Sequence, residues 1–299
     1  MAPLYPISRP THNIVTASAR PGPDPPTAVA RELPRPDLVA SDLDGTLLPP
    51  TLEFTAATAA GVDALRRAGV PFVVVTGRMF RSARKVLARI GLTEGPVVCY
   101  QGALLADLAS GEWQRHLPLP SERASEVVLA VRELGRHLNV YVDDELYVEQ
   151  DDDWARGYAE YADVPVNVVP DLLSVIETPP TKIVITTPAD DVTWLLPELQ
   201  ARFDGDLYVT RSLPQFIEIS DPQATKSGAL ADLCRRLAAR RERTVACGDG
   251  WNDLDMMRWA GLGVAVAEAA ESVRAEADLI VPRDELGSFF ARLAAAPTA

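Results

Sequence analysis

The sequence predicts an α/β protein: a doubly wound core of parallel strands, interrupted by an α+β insertion. Two observations carry the core. Apolar, β-branched runs recur at "LVAS", "VPFVVVT", "PVVCY", "TVACGD", "LGVAV" and "DLIVP", and near-continuous apolar strands suit a parallel sheet covered on both faces. Helical patterns fill the gaps between these runs, and strand alternating with helix gives the doubly wound arrangement. The third observation is a middle stretch that breaks the alternation.

Taken in order, "TAATAAGVDALRRAG" sets Val62, Leu65 and Ala68 at helical spacing and ends at Gly69, a C-cap signal. "RSARKVLARIGL" and "KSGALADLCRRLAARR" repeat the pattern. Between Leu117 and Leu213 come a helical segment ("SERASEVVLAVRELGRHL"), two short strands about an acidic turn ("NVYVDDELYVEQ"), then "TKIVITT", a helix from about Asp190, and "DLYVTRS". This mixture of hairpins and helices assigns residues 37–116 and 214–299 to the core and 117–213 to the insertion. Residues 1–36, rich in Pro ("RPGPDPPTAVARELPRP"), bury little and read as a disordered leader.

Composition removes several classes of function. A formal charge of -13 is opposite to the clustered Lys and Arg excess that tracks nucleic-acid phosphates, so no nucleic-acid partner is expected. No apolar run is long enough to cross a bilayer, and no membrane association is expected. Cys99, Cys234 and Cys247 are odd in number and share no short spacing. They support neither a disulfide framework nor a structural zinc site, and a cytoplasmic location fits them. A monomer and a homodimer fit the sequence equally.

The chemistry concentrates at strand ends. In "DLVASDLDGTLLPP" an apolar run is followed at once by Asp42 and Asp44, then Gly45 and Thr46. A buried carboxylate costs several kcal/mol unless it is paired or metal-bound, so a cation is expected beside them. Thr76 and Asp249 also follow apolar runs, and ligands of open α/β sheets gather outside the carboxyl ends of the strands. Singly, each is as readily a turn or cap residue. Side by side, the three ends would form one polar pocket.

"DLDGT" at 42–46, "VVVTGR" at 73–78, Lys226 in "ATKSGAL" and "CGDGWND" at 247–253 resemble, in order and spacing, the four motifs of the haloacid dehalogenase superfamily. The match is to its Cof-type phosphatase branch with a class IIB cap. The resemblance implies a Rossmann-like core, an α/β cap formed by the insertion, and a Mg2+-dependent phosphatase acting on a small phosphorylated metabolite. It implies that Asp42 attacks phosphorus to form an aspartyl-phosphate and that Asp44 serves as acid and base. Thr76, Gly77, Lys226 and Asn252 would hold the phosphoryl group. Mg2+ would be held by Asp42, the main-chain carbonyl of Asp44 and Asp249, with Asp253 orienting a metal-bound water. Phosphoryl transfer requires such positioning and charge neutralisation.

Two rivals accompany this reading. One is a phosphomutase of related fold, the other a non-catalytic phosphometabolite-binding protein, which would have no need of an acid/base at Asp44. The chain departs from the branch pattern at Gln101, where Asn is usual, and at Val266 and Glu268; these changes bear on pocket shape. Arg78 is open between a substrate contact and a salt bridge. Trp251 is assigned to local packing, Asp143–Asp144–Glu145 to a solvated turn, and His116 and His137 to the surface.

Overall fold

The computed structural model describes residues 33–49 and 54–298. The expected leader therefore lies outside the described residues except for its last four. Those four do not hang free: Leu33 packs on the core, and Arg35 N donates to Pro297 O at 3.1 Å.

The chain begins with β1 (Leu38–Ser41), α1 (Ala56–Arg67), β2 (Phe72–Val75), α2 (Phe80–Ala88) and β3 (Pro96–Cys99), then an antiparallel pair, β4 (Leu104–Asp107) and β5 (Trp113–His116). It continues through α3 (Ser121–Glu133), β6 (His137–Val142), β7 (Glu145–Val148), α4 (Asp153–Ala162), β8 (Val166–Val168) and α5 (Leu172–Val175). Next come β9 (Lys182–Thr186), α6 (Ala189–Arg202), β10 (Tyr208–Leu213) and β11 (Phe216–Ser220). It closes with α7 (Lys226–Leu237), β12 (Thr244–Gly248), α8 (Leu254–Trp259), β13 (Leu262–Val266), α9 (Glu271–Arg274), β14 (Leu279–Val281) and α10 (Leu286–Ala295).

The first sheet has the order β14-β13-β12-β1-β2-β3-β4-β5. Its pairings from β14 through β3 are parallel, and β4 and β5 extend it antiparallel. Strand alternation explains the continuous apolar runs. Leu38, Ala40, Val73 and Val75 face α7 and α8, while Val39, Phe72 and Val74 face the side covered by α1, α2 and α10. The chain leaves β1 toward β2 on one side and returns to it through β12 on the other. The carboxyl ends of β12, β1 and β2 are thereby neighbours at the switch in strand order.

The second sheet has the order β10-β11-β9-β6-β7-β8. One face packs on α3, α5 and α6 through Val127, Val131, Leu195 and Leu199. Tyr141, Leu146, Val184 and Phe216, on the other side, join the hydrophobic cluster of the first sheet. The expected return to the core at residue 214 is displaced: β11 pairs antiparallel with both β9 and β10, so the second sheet runs on to Ser220. A lone β10 would have left its ladder groups unpaired, and the alternating run "FIEIS" supplies the partner.

Helices α1 and α10 pack where two glycines meet. A Cβ on Gly61 would lie 2.2 Å from Gly287 O, and one on Gly287 would lie 2.1 Å from Ala57 O. Gly61→Val is expected to cost about 1–3 kcal/mol through overpacking, seen as a lower urea midpoint with an unchanged slope. A wild-type midpoint would contradict so close an approach of the two helices.

Candidate active site

Asp42 follows the last residue of β1, where Asp42 N still donates to Cys247 O on β12 at 2.9 Å. Its carboxylate is buried and receives Lys226 Nζ at 2.6 Å. Lys226 opens α7, whose N-cap Thr225 accepts from Gly228 N at 3.0 Å. A cation at a helix N-terminus opposes the helix dipole, and here carboxylates offset that. Lys226 Nζ also donates to Asp253 Oδ1 at 2.6 Å and Val75 O at 3.0 Å, so its three N–H donors are all engaged.

Asp253 is buried, and its other oxygen accepts from Asp249 N and Gly250 N at 3.0 and 2.9 Å, closing the turn after β12. Asp249 Oδ1 accepts from Thr46 Oγ1 at 2.6 Å. Gly45, with φ +97°, lies so close that a Cβ there would sit 2.2 Å from Asp249 Oδ2. Asp42, Asp249 and Asp253 each place a carboxylate oxygen within 4.8 Å of the others. Two of these carboxylates, Asp42 and Asp253, share one ammonium, and the third accepts from Thr46. Burial, then the charge of Asp253, pushes the Asp42 carboxyl well up against the pull of Lys226. Burial would lower the Lys226 pKa, but the Asp253 and Asp42 charges outweigh it and raise it. Asp249 is pushed up to about 6 by burial and by Asp253, opposed by the Thr46 hydroxyl, Lys226 and Arg283. An all-oxygen, net-negative cluster of this kind fits a hard divalent cation such as Mg2+.

Asp44 stands apart from that cluster, with its side chain 43% exposed at the mouth of the site. Arg78 holds it with both ends of the guanidinium, Nε to Oδ2 and Nη2 to Oδ1, each at 2.6 Å. Arg78 is thus a salt-bridge partner of Asp44. Thr76, buried, accepts Arg78 N on its hydroxyl at 3.2 Å, which leaves the hydroxyl proton free to donate. Gln101 Oε1 receives Asn252 Nδ2 at 3.2 Å, and the Gln101 amide lies over Gly77. The Asn-to-Gln departure therefore ties the turn after β12 to the loop after β2.

The motif residues Asp42, Thr76, Gly77, Lys226, Asp249, Asn252 and Asp253 all lie around these three adjacent strand ends, with Asp44 at the rim. Several supports had no signal in the sequence. Arg283 Nε donates to Gly45 O at 2.7 Å, and Arg283 N donates to Glu268. Glu268 thus helps fix the loop that carries Asp44, while Val266 is a buried strand residue. Thr46 lies inside "DLDGT", but its bond to Asp249 depends on the packing of β1 against β12. Trp251 is 67% exposed and not packed. His116 and His137 are drawn inward by Thr181 and Asp152; burial lowers both imidazole pKa values. Of the acidic turn, Asp143 faces solvent as expected and Glu145 is half-buried, but Asp144 is buried against α2.

The haloacid dehalogenase-like hydrolase model matches residues 39–288. The chain belongs to this family. Within the haloacid dehalogenase-like hydrolases it falls in the Cof-type branch. It is 25% identical over 256 residues to the pyridoxal phosphate phosphatase YbhA of Escherichia coli, covering 82% of this chain and 92% of that one. It is 27% identical to the 5-amino-6-(5-phospho-D-ribitylamino)uracil phosphatase YitU of Bacillus subtilis, over 80% of this chain and 90% of that one. Among solved structures, TM0651 of Thermotoga maritima superposes with a TM-score of 0.79 at 29% identity, covering 86% of this chain and 96% of that one.

The raised Asp249 pKa has a measurable sign. A carboxyl that holds its proton more tightly when folded loses stability as pH rises from its unfolded value of 3.8 toward about 6. Asp249→Asn removes that loss. In chelator its melting temperature is expected to exceed wild type at pH 7 and to converge with it near pH 4. A constant difference across that range would mean that the Asp249 charge does not burden the fold.

Proposed function

We propose that the chain is a Mg2+-dependent phosphatase that hydrolyses a small phosphorylated metabolite through an aspartyl-phosphate on Asp42. It is a phosphoric monoester hydrolase of the haloacid dehalogenase-like family. The observation that carries the finer reading is the division of labour between two carboxylates two residues apart. Asp42 is buried and oriented by Lys226, whereas Asp44 is at the mouth and held by Arg78.

Asp42 attacks phosphorus from the side opposite the ester oxygen. A phosphorus–oxygen bond to Asp42 forms, the bond to the alcohol breaks, and the departing oxygen takes a proton from Asp44, which draws that proton from solvent at its exposed edge on releasing one oxygen from Arg78. Water then attacks the same phosphorus and gives a proton to the Asp44 carboxylate. The Asp42–phosphorus bond breaks, and inorganic phosphate leaves. Lys226 fixes the nucleophile and acts on the phosphoryl oxygens through its charge, while the Thr76 hydroxyl, the Gly77 main chain and the Asn252 amide supply donors. Mg2+ held by Asp42, Asp249, the Asp44 carbonyl and, through water, Asp253 would neutralise charge on the phosphoryl oxygens.

Residues 117–220 would act as a cap that excludes water and contacts the leaving group. The names of the relatives make cofactor-type phosphates, such as pyridoxal phosphate, the first compounds to try. A reducing cytoplasm is the proposed location, in keeping with three free, buried cysteines.

The deciding experiment is phosphate release from a panel of phosphorylated metabolites, with and without Mg2+. Activity is expected to vanish in chelator, return with Mg2+ and fall with Ca2+, whose looser shell lets a carboxylate bind with both oxygens and leave its line of attack. Full activity on Ca2+ alone would refute this assignment. Asp42→Asn is expected to fold and show no turnover. Asp44→Asn is expected to lose about 10²–10⁴-fold on alkyl phosphates and much less on p-nitrophenyl phosphate, whose leaving group needs no proton. Equal losses on both esters would remove Asp44 from the acid role.

A further inference from the structure

Asp144 sits in the two-residue turn between β6 and β7, on the second sheet and outside the four motifs. Asp143 and Asp144 both have left-handed backbones, φ +50° and +59°. A tight hairpin turn of this kind favours Asn-Gly or Asp-Gly. The chain nevertheless carries a carboxylate at the second position, and that carboxylate is buried. It accepts Phe80 N at 2.8 Å, Arg81 N at 2.7 Å and the Tyr100 hydroxyl at 2.8 Å.

The first two donors form the exposed-amide end of α2. The helix's own N-cap, Met79, makes no side-chain capping bond, so the cap arrives from the second sheet. The third donor belongs to Tyr100, which is itself left-handed at φ +51° and whose N donates to Arg78 O at 3.0 Å. Such a backbone is strained in a bulky residue and persists only where its surroundings hold it. Both routes from Asp144 converge on one residue. Arg78 lies two positions before Phe80 and is bonded to Tyr100 through its carbonyl, and its guanidinium holds Asp44 at two points.

We infer that Asp144 is a positioning residue for Asp44, acting through Arg78: its carboxylate grips the α2 N-terminus and the Tyr100 hydroxyl, the two segments that fix the Arg78 main chain. This rests on the proposed acid/base role of Asp44. Docking of the second sheet onto α2 sets the frame from which Arg78 aims Asp44 at the leaving oxygen. When the hairpin lifts away, α2 loses its cap and the Asp44 carboxylate loses its fixed orientation. Loss of a purely stabilising cap would lower the melting temperature and leave the choice among leaving groups unchanged.

Asp144→Gly is the informative variant, because glycine suits the turn and removes only the carboxylate. In the full-length enzyme with Mg2+, kcat on an alkyl phosphate is expected to fall about tenfold or more relative to kcat on p-nitrophenyl phosphate. Tyr100→Phe is expected to shift the same ratio in the same direction by less. Adding Asp144→Gly to Arg78→Ala is expected to cause no further change in that ratio, since both act through Asp44. Asp144→Asn and Tyr100→Phe carry the comparison if the glycine variant does not accumulate folded. An unchanged ratio, or losses that multiply in the double variant, overturns the inference. If Asp44→Asn itself shows no leaving-group dependence, the acid role falls and this inference falls with it. If Asp44→Asn shows the dependence and Asp144→Gly does not, this inference alone is removed.

Discussion

The site depends on one buried ammonium. Lys226 joins the end of β1 to the turn after β12 and to the last carbonyl of β2, so a single side chain ties three neighbouring strand ends together. Breaking such a pair leaves charge buried and unpaired, at a cost of about 3–5 kcal/mol. The surrounding sequence follows from it. Thr225 must cap α7 so that Lys226 starts the helix at the right depth, and Asp253 must turn back on its own main chain to offer the second carboxylate. The apolar residues on both sheet faces exclude the water that would otherwise screen these charges.

Much of this was legible because a parallel sheet brings its carboxyl ends to one edge. Once the apolar runs are read as strands, residues far apart in sequence, such as Asp42, Thr76 and Asp249, fall on that edge. Lys226 was recognisable only through the company of the other motifs, as a lysine near a helix start is ordinarily solvated.

What was not legible depends on tertiary packing. Arg283 reaches Gly45 across 238 residues, and no local pattern predicts which of the many arginines does so. Asp144 carries turn chemistry, and turn chemistry ordinarily means solvent; only the placement of the second sheet against α2 buries it. The boundary error at residue 214 has a similar origin. "FIEIS" alternates as a half-buried strand should, but its partner sheet is decided by hydrogen bonding to β9 and β10. Trp251 shows the converse, as an aromatic beside a tight turn is left facing solvent.

The hydrophobic cluster that runs without a break from the first sheet into Tyr141, Leu146, Val184 and Phe216 has a thermodynamic consequence. Any parting of the two sheets wets that apolar surface and separates the Tyr100 ring from Tyr141, which it meets edge-on at 5.6 Å. Hydrating apolar area raises the heat capacity. An equilibrium in which the sheets parted would therefore vary with temperature along a curve, and a rate limited by that parting would bend on an Arrhenius plot even while the protein stays fully folded.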